Sequence, residues 1–78
     1  MALISRFEER SIYPTRIHDE GVCGFAAATI GTRRVLQLET YGSASRKIPG
    51  EVSQCIQLDD VAARELRRIL DVCFPGNV

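Results

Sequence analysis

The clearest pattern in the chain is alternation. From Arg33 to Tyr41, the positions Arg34, Leu36, Leu38 and Thr40 interleave with Arg33, Val35, Gln37, Glu39 and Tyr41. Successive side chains of a strand point to opposite sides, so this stretch predicts a strand whose leucine face belongs to a core. Val52 to Leu58 repeats the pattern, with Gln54, Ile56 and Leu58 alternating with Ser53, Cys55 and Gln57. Between the two, Gly42 to Gly50 combines glycine, serine and Pro49 around the basic pair Arg46-Lys47. That composition predicts a loop, and basic loops beside a sheet often carry ligand contacts.

The period changes after Leu58. Ala62, Leu66, Ile69, Leu70 and Cys73 recur at spacings of three and four, which makes one apolar stripe on a helix running from Asp59 to Phe74. Asp59 is suited to the N-cap, Asp60 adds negative charge at the positive end of the helix dipole, and Pro75-Gly76 ends the helix. Upstream, Val22 to Ile30 is apolar but diluted by alanines, and Gly31-Thr32 separates it from the next run. Its length and that dipeptide favour a strand and hairpin over a helix. Ile4 to Ile12 has no clean period before Pro14 interrupts it, and predicts an edge strand. The expected fold is a single α+β domain over residues 1–78: a curved antiparallel sheet of about four strands followed by one C-terminal amphipathic helix. One helix covers one face of such a sheet and leaves the other as the place to look for function.

Size then constrains how the fold is held. With 78 residues, the chain belongs to a class that hides only about 60% of its unfolded surface, and such domains usually rely on disulfides, a metal or oligomerisation. Cys23, Cys55 and Cys73 are odd in number and widely spaced, a poor disulfide framework. His18 is the only histidine and no C-x-x-C pair occurs, so a structural zinc has no ligand set. Oligomerisation remains, with Leu66, Ile69, Leu70 and Cys73 as the expected dimer interface. The first residues are too short an apolar run for a signal peptide and no stretch is long enough to span a membrane. The expectation is a soluble cytoplasmic homodimer.

Charge and motifs narrow the chemistry. Ten Lys plus Arg balance ten Asp plus Glu, so only local clusters could attract a polyanion. The chain carries no nucleotide-binding glycine fingerprint, zincin motif or nucleophile elbow. His18-Asp19 with Cys23 is the only set of residue types from which a nucleophile and base could be assembled, and these read better as turn residues and a small core residue. No enzyme activity and no cofactor are expected.

The order of strands, basic loop with Pro49-Gly50, last strand and C-terminal helix resembles the single-stranded-DNA-binding transcriptional coactivators of the positive cofactor four family. Leu36-Gln37-Leu38-Glu39-Thr40-Tyr41 is similar to that family's strand of alternating aliphatics ending in an acid and a tyrosine. Ile56-Gln57-Leu58 is similar to its final strand, and Asp59 onward to its helix. The likeness runs from Gly31 to Phe74 and departs at Glu51 to Cys55, which replace a shorter stretch bearing a basic pair. The chain also resembles a set of short bacterial proteins sharing T-Y-G-S, P-G, S-Q and I-Q-L-D, here Thr40 to Ser43, Pro49-Gly50, Ser53-Gln54 and Ile56 to Asp59.

The coactivator resemblance implies a helix-paired homodimer with a sheet open to one strand of DNA or RNA. In that role Tyr41 would stack on a base. Arg33, Arg46 and Lys47 would contact phosphates, while Gln37, Ser53, Gln54 and Gln57 would supply neutral hydrogen bonds. The competing expectation is a dimeric protein–protein interaction module without nucleic-acid binding, which zero net charge and few aromatics favour.

Overall fold

Two hairpin-like pairings build the sheet. In the computed structural model, which describes residues 1–41 and 52–76, the elements are β1 (Ala2–Ile4), β2 (Cys23–Ile30), β3 (Arg33–Tyr41), β4 (Val52–Leu58) and α1 (Asp60–Cys73). β3 and β4 pair antiparallel with Leu36 opposite Leu58 and Leu38 opposite Ile56, so the aliphatic faces anticipated for the two strands meet. β2 pairs antiparallel with β3 from Cys23 opposite Thr40 to Ile30 opposite Arg33. Gly31 closes that hairpin at φ 64 while Thr32 stays at negative φ, the type II′ pattern that glycine adopts without strain.

The fourth strand departs from the expected arrangement. The sheet order is β1-β4-β3-β2, and β1 joins β4 in parallel, with Ala2 opposite Ile56 and Ile4 opposite Leu58. The sheet is therefore mixed, and the edge strand is Ala2–Ile4, not the predicted Ile4 to Ile12. Beyond Ile4, Phe7 is the one apolar residue before Ile12, so residues 5–11 offer no continuous apolar face to bury. Pairing stops there, and the Phe7 amide donates to the Glu65 carboxylate on α1 at 2.8 Å. Residues 5–22 carry neither strand nor helix.

Burial concentrates where the sheet meets the helix. Among the described residues the buried apolar side chains are Val35, Leu58 and Ala62, and α1 contacts β3 and β4. The leucine face is only partly covered: Leu36, Leu38 and Ile56 are half-buried, while Val35, on the other side of β3, is buried. The helix stripe is also left open. Leu66 is half-buried, but Ile69 and Leu70 are 42% and 47% exposed, and Val72, Cys73 and Phe74 are exposed.

These exposures, together with the mostly exposed segment 5–22, show in the dimensions. The chain exposes 7202 Å², where a compact monomer of 8.7 kDa would expose about 4,700 Å². Its radius of gyration is 14.8 Å, against about 11.5 Å for a compact domain of this length.

One residue ties the elements together. The Asp59 carboxylate accepts from the Ala62 amide at 2.8 Å, which makes it the N-cap of α1. Its other oxygen lies 3.8 Å from the Arg33 guanidinium on β3, and its amide donates to the Ile4 carbonyl on β1 at 3.3 Å. Asp59→Ala is expected to lower stability in urea unfolding by about 1 to 2 kcal/mol, the usual cost of a lost cap with a small ion-pair contribution. Asp59→Asn keeps a capping oxygen and is expected to recover most of that loss. Equal losses in both variants would assign the stability to Arg33 instead of the cap.

Candidate nucleic-acid interface

The residues predicted to bind a strand divide between the two sheet faces. Arg33, Gln37 and Tyr41 share one face of β3, because they are an even number of positions apart. They span about 26 Å of strand. Gln57 lies opposite Gln37 on β4 and Cys55 opposite Glu39, so both belong to this row. Gln54 pairs with Thr40 and so sits on the opposite face with Leu38 and Ile56. It is therefore separated from Gln37 and Tyr41 by the sheet. Ser53 falls at the register shift between Thr40 and Tyr41, where Gln54 opposes one and Val52 the other. It is the extra residue of a bulge and is exposed. Arg46 and Lys47 lie outside the described residues.

The middle of the row is an ordered hydrogen-bond chain. The Gln57 side-chain amide donates to the Gln37 carbonyl at 3.1 Å, and the Gln37 amide donates in turn to the Glu39 carboxylate at 2.7 Å. This fixes which end of Gln37 faces which neighbour. It also places a negative charge between Gln37 and Tyr41. At the far end Arg33, with a side chain 63% exposed, leans on Asp59. Arg34 points to the other face, where its guanidinium donates to the Thr29 hydroxyl at 3.4 Å. The row is therefore chiefly neutral, with an aromatic at one end, amides in the middle, and the buried Val35 between Gln37 and the guanidinium at the other end.

Tyr41 owes its position to a glycine. Gly24, on β2 opposite Glu39, lies under the phenol, and a Cβ at position 24 would collide with the Tyr41 oxygen. The missing side chain lets the half-buried ring reach across the sheet to β2. Neither Glu39 as the end of the amide chain nor Gly24 as the seat of Tyr41 was anticipated from sequence. The alternation of β3 did place Glu39 on the Gln37 side.

The other candidate chemistry does not assemble. The Cys23 thiol donates to the Gly24 carbonyl at 3.5 Å, while His18 and Asp19 lie in the exposed segment before β2. No hydrogen bond among the described residues links the three. Nor do any His, Cys, Asp and Glu side chains among the described residues group as metal ligands. No helix among the described residues is long and apolar enough to cross a membrane. No family model, curated protein or solved structure matches the chain.

Gly24→Ala is expected to displace the Tyr41 ring without unpairing β2 from β3. The displacement would appear as changed ring-proton NMR shifts for one of the two tyrosines, with strand amide shifts preserved. Unchanged ring shifts would mean that the phenol does not rest on Gly24 in solution.

Proposed function

We propose that the chain is a non-enzymatic homodimer that binds single-stranded DNA or RNA along the Arg33–Gln37–Tyr41 row, with Arg46 and Lys47 supplying further phosphate contacts. The observation that carries the reading is the row itself. It offers a half-buried ring, oriented amides and an exposed guanidinium on one face of β3, interrupted by the buried Val35, a combination suited to a flexible strand that offers base faces and phosphates in turn.

The homodimer is supported by the exposed apolar stripe of α1, where Leu66, Ile69, Leu70 and Cys73 lack enough cover within one chain. It is also supported by a surface far larger than a monomer of this mass needs. Three free thiols accord with a reducing, cytoplasmic setting. A second reading keeps the dimer and makes the same face a protein-binding surface. It is favoured by the Glu39 carboxylate within the row and by the Arg33–Asp59 pairing, both of which weaken attraction for phosphate.

Fluorescence anisotropy with a labelled single strand and its duplex, each at low and near-physiological salt, separates the two readings. Salt-sensitive binding of the single strand is expected, and Arg46→Ala with Lys47→Ala should weaken it for every sequence and flatten the salt dependence. Absence of binding at low salt overturns the nucleic-acid reading in favour of the protein-binding one. Leu66→Asp places a charge in the apolar stripe and is expected to break the helix-paired contact, lowering the assembled mass in analytical ultracentrifugation, or to unfold the chain. A folded chain of unchanged assembled mass would remove α1 from the interface.

A further inference from the structure

β2 is the free edge of the sheet opposite β1, and it lacks the usual protections of an edge. Cys23–Ile30 is eight residues long, and its sequence CGFAAATI contains no charged residue and no proline. Natural edges are commonly kept short or blunted by lysine, proline or a bulge, because an unblocked edge templates pairing with another chain. β2 pairs with β3 without a register break, and every residue except Gly24 is exposed. Phe25 is 78% exposed.

The hairpin determines which backbone groups face outward. Ile30 and Arg33 flank a two-residue turn, so they are a mutually hydrogen-bonded pair, and the alternation of an antiparallel ladder carries the pattern down the strand. Ala28, Ala26 and Gly24 therefore turn their backbone groups toward β3. Cys23, Phe25, Ala27 and Thr29 turn theirs outward. No backbone hydrogen bond among the described residues serves that outward row.

We infer that β2 pairs antiparallel with β2 of a second copy, about a twofold axis at Ala26, and joins two sheets into one. This goes beyond the proposed homodimer by assigning it a second surface, and it does not depend on nucleic-acid binding. Only a register that keeps each sheet face continuous is allowed, because opposed residues of a pair share a face. With Ala26 opposite Ala26 of the partner subunit, Phe25 faces the partner's Ala27 and Cys23 faces the partner's Thr29. Every outward N–H and C=O then finds a mate. A register centred on Ala27 carries Cys23 past the end of the partner strand to the turn and leaves it unpaired.

Side chains and charge agree with the Ala26 register. The row of alanines lets the two Phe25 rings lie against apolar neighbours beside the axis. The antiparallel arrangement also brings the start of β2, preceded by the acids Asp19-Glu20, to the partner's hairpin end, which carries the bases Arg33-Arg34. That match of opposite charge occurs at both ends of the pairing, as a twofold axis requires.

Ala26→Cys places two thiols across the axis in a non-hydrogen-bonded pair, about 4.5 Å apart at Cα, within disulfide range. Mild oxidation should give a covalent dimer whose disulfide maps by peptide mass to the two introduced thiols. Ala28→Cys, on the same face but opposite the partner's Gly24, should give no such link. Ala27→Lys adds an edge charge without touching the β3 ladder and should halve the assembled mass in ultracentrifugation while leaving the circular dichroism unchanged. If unmodified chain sediments as a dimer and Ala26→Cys does not link, the edge pairing is overturned and the proposed dimer rests on α1 alone. If the chain is monomeric at every concentration, both are overturned.

Discussion

The fold depends on a single junction at the end of β4. Asp59 caps α1 through Ala62, leans on Arg33 of β3 and donates its amide to Ile4 of β1. Of the buried residues, Leu58 adjoins Asp59 in the chain and Ala62 donates its amide to it. A cap usually satisfies one orphan amide of a helix. Here the same residue also decides where the helix leaves the sheet and holds a strand from the other end of the chain. With so small an apolar core, directional bonds fix an arrangement that packing alone would specify weakly.

What the junction leaves undone is coverage. Phe25 and Ile30 on β2, and Ile69, Leu70, Val72 and Phe74 at the helix end, stay exposed, and scattered single exposures are normal where continuous ones are not. The two exposed regions differ in kind. The helix stripe can be covered by any apolar surface of suitable shape. The edge of β2 requires backbone partners, and antiparallel self-pairing supplies them in a fixed register. Both contribute to the large surface and radius, as does the mostly exposed segment 5–22.

Local signals in the sequence carried most of the fold. Period-two alternation located β3 and β4, Gly31-Thr32 located the hairpin, and the step from Leu58 to Asp59 located the helix start. Each of these depends on neighbours a few residues away. The parallel β1 was not legible, because Ala2–Ile4 is too short to show a period and its partner lies near the far end of the chain. The bulge at Ser53 was equally hidden, and with it the departure of Ser53 from regular pairing. Alternation did assign Gln54 to the aliphatic side of β4, yet only the cross-strand register shows that this side is turned away from Tyr41. The link from Gln57 through Gln37 to Glu39 likewise needed a register, since nothing in the order of residues says that Gln57 stands opposite Gln37.

Edge pairing and the polar row are geometrically coupled. A twofold axis perpendicular to the sheet keeps each face continuous, so the Arg33–Gln37–Tyr41 rows of two copies would lie on the same side. β3 and its mate would be three strand spacings apart, about 14 Å, and would run in opposite directions. A surface of that form presents two antiparallel tracks, each with its ring at the opposite end from the other. One continuous nucleic-acid strand would have to fold back to occupy both, whereas two separated strands of opposite polarity would match them directly. The same symmetry would bring Gly24, the seat of Tyr41, opposite Ala28 of the partner subunit. Assembly at β2 and the placement of the aromatic would then depend on the same residues, through a strand whose small side chains permit both.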